Sequence, residues 1–327
     1  MLTLSNLAKD ERTARLVLSL IGTPNDAVTG DLLLRVGGVE LIALIESNTS
    51  IPGMDRVEAA VWRDRLRSAW NPDQVASRMV VEGNCRMLVP EDSEWPTVLN
   101  DLGGRTPYAL WTRGRTELLT APLSDRITVT GSRAATAYGV HVTEELSSDL
   151  ARSGRSLVAG GAYGIEASVH RAALMNGDNT IVVLASGIDR TYPAGHADLI
   201  ESIAGRGLLL SEVPPTFSPT RQRFLDRSRI LAALSGATIV VEAGFRSGTL
   251  QTAREASLLE RYVGAVPGPV TSAASAGANQ LLQDRRVRVI TGAPDVVRML
   301  EDDTSAPERN ATRSGPSHAV SPHSRVL

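Results

Sequence analysis

Cysteine and lysine are nearly absent from this sequence, and aromatic residues make up only 4% of it. The one cysteine, Cys85, excludes an internal disulfide framework and a cysteine-rich zinc site, which favours a reducing cytoplasm. Lys9 is the one lysine, so arginine supplies 33 of the 34 cationic side chains. No run of about 18 apolar residues occurs, and the first residues lack the pattern of a signal peptide, so we expect neither export nor membrane contact.

The length and charge of the chain narrow the class of protein further. With 327 residues, 42% apolar and 21% charged, the sequence is typical of a folded protein with one large domain and a smaller unit or extensions. A net charge of −2 argues against a protein that coats nucleic acid by bulk charge. It leaves open a local basic groove, because the field depends on how the charges are distributed.

The first third of the chain shows helical patterning. Apolar residues recur at helical spacing over 7–21 and 55–69, and a third candidate helix, 31–46, is interrupted by Gly37 and Gly38. These glycines predict a turn between helices, although they also fit the hairpin of a DNA-binding helical unit. We divide the chain into a small helical domain (1–80), a linking segment packed on the next domain (81–122), a Rossmann-like domain (123–300) and a disordered polar tail (301–327).

Short β-branched apolar runs alternate with helical stretches from residue 127 onward. Nearly continuous apolar strands of this kind are typical of a parallel sheet that is covered on both faces. The fold class is therefore α/β: a Rossmann-like, largely parallel sheet with helices on both faces, preceded by a small helical N-terminal domain. The seven predicted strands are ITVTGS (127–132), SLVAGG (156–161), TIVVLAS (180–186), LLLSEV (208–213), TIVVEA (238–243), YVGAV (262–266) and VRVIT (287–291).

Glycine-rich turns follow several of these strands, at the edge where open parallel sheets bind ligands. Gly131, Ser132 and Arg133 combine a tight turn, a hydroxyl and a guanidinium, which suits an anion. The turns at Gly160-Gly161 and at Arg246 to Thr249 are also compatible with phosphate, although capped β-to-α turns look the same. The dinucleotide and P-loop fingerprints are missing, which disfavours NAD binding and ATP hydrolysis.

A second candidate element lies between Pro219 and Ser235, where arginines surround a phenylalanine. Single-stranded nucleic acid is bound by cations that follow its backbone and by aromatic rings that stack on its bases. This segment is therefore the best candidate for a nucleic-acid contact. The alternative is a solvated helix face with the ring in the core. The residues concerned are Arg221, Arg223, Phe224, Arg227 and Arg229.

We predict no catalytic residue, metal site or cofactor. The sequence has no G-x-S-x-G or H-E-x-x-H motif, and its histidines are scattered. Asp189, Glu212 and Glu242 end or follow strands and fit acid–base groups, but carboxylates at such positions also orient loops. His141 and His170 fall within predicted helices, where a surface or capped role is the simpler interpretation.

From about residue 85 to 300 the sequence resembles the DNA processing protein A (DprA/Smf) family. The resemblance depends on an ordered series of motifs rather than on one of them. These are ITVTGSR (127–133), AGGAYGIEASVHRAAL (159–174), TIVVLASGIDRTYP (180–193), LLLSEVPP (208–215), RQRFLDRSRILAALS (221–235), VVEAGFRSGTLQTA (240–253), AVPG (265–268) and GANQLL (277–282).

The resemblance implies a cytoplasmic recombination mediator that binds single-stranded DNA without sequence preference, forms a homodimer and helps load a RecA-type recombinase. It assigns Gly131, Ser132 and Arg133 to a phosphate-contacting turn, Arg221 to a basic pocket and Phe224 to base stacking. It also places Ser247, Gly248 and Thr249 on the pocket rim. We include Arg223, Arg227, Arg229 and Gly161 among the expected DNA contacts.

The chain departs from the family pattern at four positions. Tyr163 and Glu166 stand where the family usually has an arginine and an aspartate, Ser228 replaces an asparagine, and Asp226 adds a negative charge. The 27 mostly polar residues after Leu300 are too few to form the winged helix that relatives often carry, so we expect a divergent member without one. Two alternative functions are a phosphoribohydrolase-like enzyme that uses Glu242 or Glu212, and a nucleotide-sensing module.

Overall fold

Nine strands form a single sheet within residues 2–69, 71–79 and 85–301, which are the residues that the computed structural model describes. Its spatial order is β1-β2-β6-β5-β4-β3-β7-β8-β9. The strands are β1 (Arg86–Leu88), β2 (Leu110–Gly114), β3 (Arg126–Thr130), β4 (Ser156–Gly160), β5 (Thr180–Val183), β6 (Leu208–Ser211), β7 (Ala237–Val240), β8 (Tyr262–Ala265) and β9 (Val287–Val289).

Helices precede the sheet and connect most of its parallel strands. Six of them precede β1: α1 (Leu4–Leu7), α2 (Glu11–Ile21), α3 (Ala27–Val36), α4 (Gly38–Glu46), α5 (Arg56–Ala69) and α6 (Pro72–Met79). The others are α7 (Ala137–Arg152), α8 (Ile165–Met175), α9 (Ala197–Arg206), α10 (Arg221–Ala233), α11 (Thr249–Leu258), α12 (Ala276–Leu281) and α13 (Ala293–Glu301). Short 3-10 helices span Thr97–Arg105, Thr116–Leu119, Leu123–Asp125 and Ala194–His196.

The seven strands from β3 to β9 are parallel to one another, as the apolar runs predicted. The sheet is larger than predicted because the segment before residue 122 contributes two further strands. β2 pairs antiparallel with β6, and β1 pairs antiparallel with β2. The fold class is confirmed, with two antiparallel strands added at one edge.

Alternating side chains of the sheet are buried under helices on both faces. On one face, Leu157 and Ala159 of β4 pack in a cluster with residues of α7, α8 and α13. On the other face, Val158 of β4 packs with α10 and the segment around Trp95. A strand that is buried on both sides favours apolar residues at most positions, which explains the nearly continuous runs in the sequence.

The six N-terminal helices share a core with the sheet rather than packing alone. Leu18 and Leu41, both buried, belong to the same apolar cluster as Trp111 of β2 and Leu209 of β6. The predicted break at Gly37 is a turn between α3 and α4, where the glycine adopts a φ of 78°. The domain boundaries proposed from the sequence remain a prediction, and residues 302–327 lie outside the described part of the chain. None of the described helices has the length and apolar character needed to span a bilayer.

Candidate nucleic-acid interface

The order in which successive strands join the sheet reverses at β3, and a cavity lies at this point. β4 lies on one side of β3 and β7 on the other, so the turns that follow these three strands reach the same edge. In open parallel sheets this switch in strand order is where ligands bind. A cavity of about 810 Å³ occupies this position and is lined by residues from all three turns and from α10.

Nine of the twelve predicted site residues line this one cavity. They come from three separate stretches of sequence, which the sheet order brings together. They are Gly131, Ser132, Arg133, Arg221, Phe224, Arg227, Ser247, Gly248 and Thr249.

The lining of the cavity is strongly cationic. Four arginines and one carboxylate, Glu166, contribute to it. Within the described residues, Arg133, Arg221 and Arg246 are exposed and form no ion pair. A concave surface with unpaired cations attracts polyanions even when the net charge of the protein is slightly negative.

The turn after β3 is held in place by close backbone contacts. Gly131 lies so near Ile165 that a Cβ at this position would be 2.6 Å from the Ile165 Cγ1 atom. The Ser132 N–H donates to the Glu242 carbonyl oxygen at 2.7 Å, and the Thr249 hydroxyl donates to the Gly131 carbonyl oxygen at 3.1 Å. The turns after β3 and β7 are therefore joined directly, which fixes the positions of Ser132 and Arg133 relative to α11.

The Phe224 ring is half-buried and lies beside two guanidinium groups. The Arg133 guanidinium carbon is 4.5 Å from the ring centroid, and that of Arg227 is 5.3 Å away. The ring also contacts Tyr192, with 5.7 Å between the centroids and 58° between the ring planes. An aromatic ring next to cations, with part of its surface open, can stack on a base while the cations reach the adjoining phosphates.

Arg227 and Glu166 form a buried pair on the wall of the cavity. Their closest nitrogen and oxygen atoms are 3.4 Å apart, and both side chains are less than a tenth exposed. Glu166 also accepts hydrogen bonds from the Thr130 hydroxyl at 3.2 Å and the Ala162 N–H at 3.0 Å. The Arg227 Nε atom has no partner within the described residues. The negative charge of Glu166, a departure from the family pattern, is thus offset by Arg227, one of the four cavity arginines.

Three of the predicted site residues do not line the cavity. Arg229 is 1% exposed and binds Glu212 through two hydrogen bonds of 2.6 and 2.7 Å, so its guanidinium stabilises the interior. Arg223 turns toward Phe217 and donates to the Ser218 carbonyl oxygen. Gly161 is buried near Leu184 and Ile200. Arg223 and Arg229 lie on other faces of α10, because a helix distributes consecutive side chains around its axis.

Sequence reasoning missed the aromatic residue Tyr192 of the cavity, and it did not include Arg246 among the expected DNA contacts although it named the turn that begins there. Tyr192 is 44% exposed and extends the aromatic surface of Phe224. It lies far from Phe224 in sequence, so no local pattern linked the two. Arg246 directly precedes the predicted Ser247 turn, and the sequence pointed to it only through the glycine-rich motif.

Each of the three carboxylates considered as acid–base groups accepts hydrogen bonds from a backbone N–H or from an arginine. Glu242 accepts hydrogen bonds from the Thr136 N–H at 3.0 Å and the Thr136 hydroxyl at 2.6 Å, where α7 begins. Glu212 pairs with Arg229, and Asp189 accepts from the Thr216 N–H at 2.8 Å. Among the described residues, no three metal-binding side chains lie close enough together to hold an ion.

The two histidines considered as possible ligands occupy different environments. His141 is exposed and lies 3.5 Å from Glu145. His170 is buried, with its ring nitrogens 2.7 Å from the Thr180 hydroxyl oxygen and 3.0 Å from the Gly160 carbonyl oxygen. Burial lowers the pKa of His170 to about 4 from its ordinary value of 6.5. It is therefore a neutral core residue.

The fold and the cavity define an open-sheet α/β protein with an arginine- and aromatic-lined site at the switch in strand order. A family model described as "DNA recombination-mediator protein A" matches residues 86–301. The chain belongs to this family, which confirms the resemblance seen in the sequence.

Individual relatives support this assignment. A DprA-type DNA processing protein of Mycobacterium tuberculosis is 45% identical over 226 residues, which cover 66% of this chain and 57% of that protein. This chain thus spans just over half the length of that curated relative. An X-ray structure of DNA processing protein A from Streptococcus pneumoniae matches with a TM-score of 0.72 and 28% identity, over 90% of this chain and 97% of that one. A structure that describes the single-stranded DNA binding mode of DNA processing protein A from Helicobacter pylori matches with a TM-score of 0.59 and 29% identity, over 67% and 96%.

Proposed function

We propose that this protein is a recombination mediator that binds single-stranded DNA in the cavity beside β3. The observation that carries the proposal is that Arg133, Arg221, Arg227 and Arg246 line one cavity with Phe224, whose ring lies beside the guanidinium groups of Arg133 and Arg227. Cations that follow the phosphates and a ring that stacks on a base are the two elements that sequence-independent single-strand binding requires. A duplex hides its bases from such a ring, so single strands should bind more tightly.

The related proteins support the finer parts of this proposal. The Helicobacter pylori relative binds single-stranded DNA, and the family is described as a recombination mediator. By extension, this protein would act in the cytoplasm as a homodimer and help load a RecA-type recombinase onto the strand it holds. Stimulation of recombinase filament formation on single-stranded DNA would test the second step.

No observation favours the alternative of an enzyme that acts on small nucleotides. Glu242 and Glu212, its acid–base candidates, already accept hydrogen bonds from Thr136 and Arg229. Release of free base from a nucleoside monophosphate would be needed to support the enzyme alternative.

The first test is fluorescence anisotropy with a labelled oligothymidylate over a range of salt concentrations. Phe224→Ala should weaken binding by about 1 to 3 kcal/mol because it removes base stacking. Arg133→Ala should reduce the slope of log affinity against log salt by about 0.7, because it removes a phosphate contact.

Arg152→Ala provides the matched control. Arg152 is an exposed arginine at the C-terminal end of α7, whereas α7 begins at the cavity edge beside Glu242. The control should bind like the wild type. Failure of the wild-type protein to bind single-stranded DNA at low salt would reject the proposed function, and wild-type binding by both cavity variants would reject the site.

A further inference from the structure

The Tyr192 ring lies on the wall of the cavity, beside the Phe224 ring. Tyr192 is exposed, whereas Phe224 is half-buried. Among the described residues, no guanidinium lies over the Tyr192 ring, and its hydroxyl forms no hydrogen bond. Phe224, by contrast, already has the guanidinium groups of Arg133 and Arg227 beside it. Tyr192 therefore offers the more accessible aromatic surface of the two.

The backbone around Tyr192 is held on both sides of the ring. Tyr192 lies in the loop between β5 and the short 3-10 helix that precedes α9. Before it, the Ser186 hydroxyl donates to the Arg190 carbonyl oxygen at 3.2 Å. After it, a ring nitrogen of His196 lies 3.1 Å from the Gly161 carbonyl oxygen, which ties the loop to the turn after β4. The ring is thus positioned before a ligand arrives, which lowers the entropic cost of binding.

The spacing of the two rings excludes a base between them. A base enclosed by two parallel rings needs about 7 Å between the ring centroids, which is twice the contact distance of about 3.5 Å between carbon atoms. The observed separation of 5.7 Å and inclination of 58° leave no such gap. Each ring can instead offer its face to a different base, since every base has a face that stacks. Two neighbouring bases that lie flat on these rings are inclined to each other, so the strand that carries them is bent.

The remaining lining of the cavity identifies the class of ligand that would use both rings. Arg221 and Arg246 line the same cavity, are exposed and form no ion pair within the described part of the chain. Glu166, the one carboxylate of the lining, is paired with Arg227. A neutral aromatic ligand would leave the exposed cations without a partner. The complement of this surface is therefore a polyanion that carries planar rings, which is a nucleic-acid strand.

We propose that Tyr192 is a second base-binding residue, so that Phe224 and Tyr192 hold two consecutive bases of a single strand that bends between them. This inference rests on the proposed function. In a duplex the bases are paired and stacked on one another, and taking them out of the stack costs free energy. The inclined rings thus select a single strand by their geometry as well as by their need for unpaired bases.

The test compares dissociation constants for two strands of about 8 nucleotides, an oligothymidylate and a strand of the same length whose sugars carry no bases. Tyr192→Leu keeps an apolar side chain next to Phe224 and removes the aromatic face. It should weaken binding of the oligothymidylate about fivefold to a hundredfold, because one base loses its stacking partner. It should leave the baseless strand within about twofold of the wild type, because that strand contacts the protein only through its backbone. Tyr192→Phe retains the ring and should bind the oligothymidylate like the wild type.

A double variant tests whether the two rings hold different bases. Phe224→Leu should also weaken the oligothymidylate and spare the baseless strand. If each ring holds its own base, Tyr192→Leu combined with Phe224→Leu should bind the oligothymidylate at least about fivefold more weakly than either single variant. A double variant no weaker than the weaker-binding single variant would show that the rings hold one base, and it would overturn the inference.

Arg152→Ala is the control at a distance from the cavity, and it should bind both strands like the wild type. Thermal unfolding of each variant establishes that it is folded. Wild-type binding of the oligothymidylate by Tyr192→Leu would overturn this inference, and so would an equal loss on both strands, which indicates a structural role for the ring. Either result would leave the proposed function intact. Absence of wild-type binding to the oligothymidylate at low salt would remove both.

Discussion

Arginines on a single helix have opposite environments in this protein. Arg221 at the start of α10 is exposed to the cavity, whereas Arg229, two turns later, is buried against Glu212. The residue type and the helix are the same, so the neighbouring elements decide which guanidinium is free to bind an anion. A buried arginine that lost its partner would leave an uncompensated charge in the core, which is why Arg229 stays paired.

His170 should make the stability of the protein depend on pH. Its pKa in the folded state is about 4, below the ordinary value of 6.5, because burial disfavours the imidazolium. Between these values the unfolded chain binds more protons, so stability falls as pH falls. We expect His170 to contribute a loss of about 3 kcal/mol in the free energy of unfolding from about pH 7 to pH 4.

Urea unfolding at a series of pH values measures this effect. His170→Gln should show a shallower pH dependence over that window, whereas His141→Gln, at an exposed position, should behave like the wild type. An unchanged pH dependence in His170→Gln would show that other groups cause the acid sensitivity.

At the scale of the element, the turns after β3 and β7 determine the shape of the cavity. Two of the glycines that line this cavity have different surroundings. Gly131 is wedged against the Ile165 side chain and the Glu242 carbonyl oxygen, which lie 2.6 and 2.9 Å from the position of a Cβ. Gly248 has open space around it and ordinary helical angles, φ −61° and ψ −21°. Only the first of these glycines is required by packing.

Replacing each glycine with alanine should therefore have opposite effects on stability. Gly131→Ala should destabilise the protein by about 1 to 3 kcal/mol, because the methyl group forces Ile165 and the β7 turn apart. Gly248→Ala should be neutral or stabilising by up to about 1 kcal/mol, since it restricts the unfolded chain. Chemical denaturation gives both values, and a Gly131→Ala variant as stable as the wild type would contradict the proposed turn packing.

At the scale of the whole molecule, the N-terminal helices and the sheet depend on each other for burial. Leu41 of α4 is fully buried in the cluster that also contains Trp111 and Leu209. Separating the two parts would expose this shared surface to water, at a cost of about 25 cal/mol for each Å² of apolar area. A common core of this kind couples the unfolding of its parts.

The protein should accordingly unfold in one cooperative transition. Leu41→Ala in the helical region and Leu150→Ala in α7 each empty a fully buried position, so each should lower the free energy of unfolding by about 2 to 5 kcal/mol. Both variants should lower the midpoint of the same transition, followed by circular dichroism and tryptophan fluorescence. A separate early transition in Leu41→Ala would show instead that the helices unfold independently.

The strands from β3 to β8 were predictable because they are buried at nearly every position and consist mainly of apolar and β-branched residues. β9 was predictable from its β-branched residues, although it is half-buried to exposed. β1 and β2 escaped prediction because they have three and five residues and alternate in no clear pattern. Tertiary pairing with β6 makes them strands. The turn between α3 and α4 could be read from its paired glycines, since a φ of 78° at Gly37 favours a residue without a side chain.

The amino-acid sequence alone determined the α/β architecture, the family, and the two turns and the helix that carry the nine predicted cavity residues, because motifs, periodicity and glycine positions are local properties of the chain. The tertiary structure decided which side chains of those segments face one another. It turned Arg229 inward, directed Arg223 to Phe217 and brought Tyr192 against Phe224. Those outcomes depend on contacts between residues far apart in sequence, which form only when the sheet and its helices pack together.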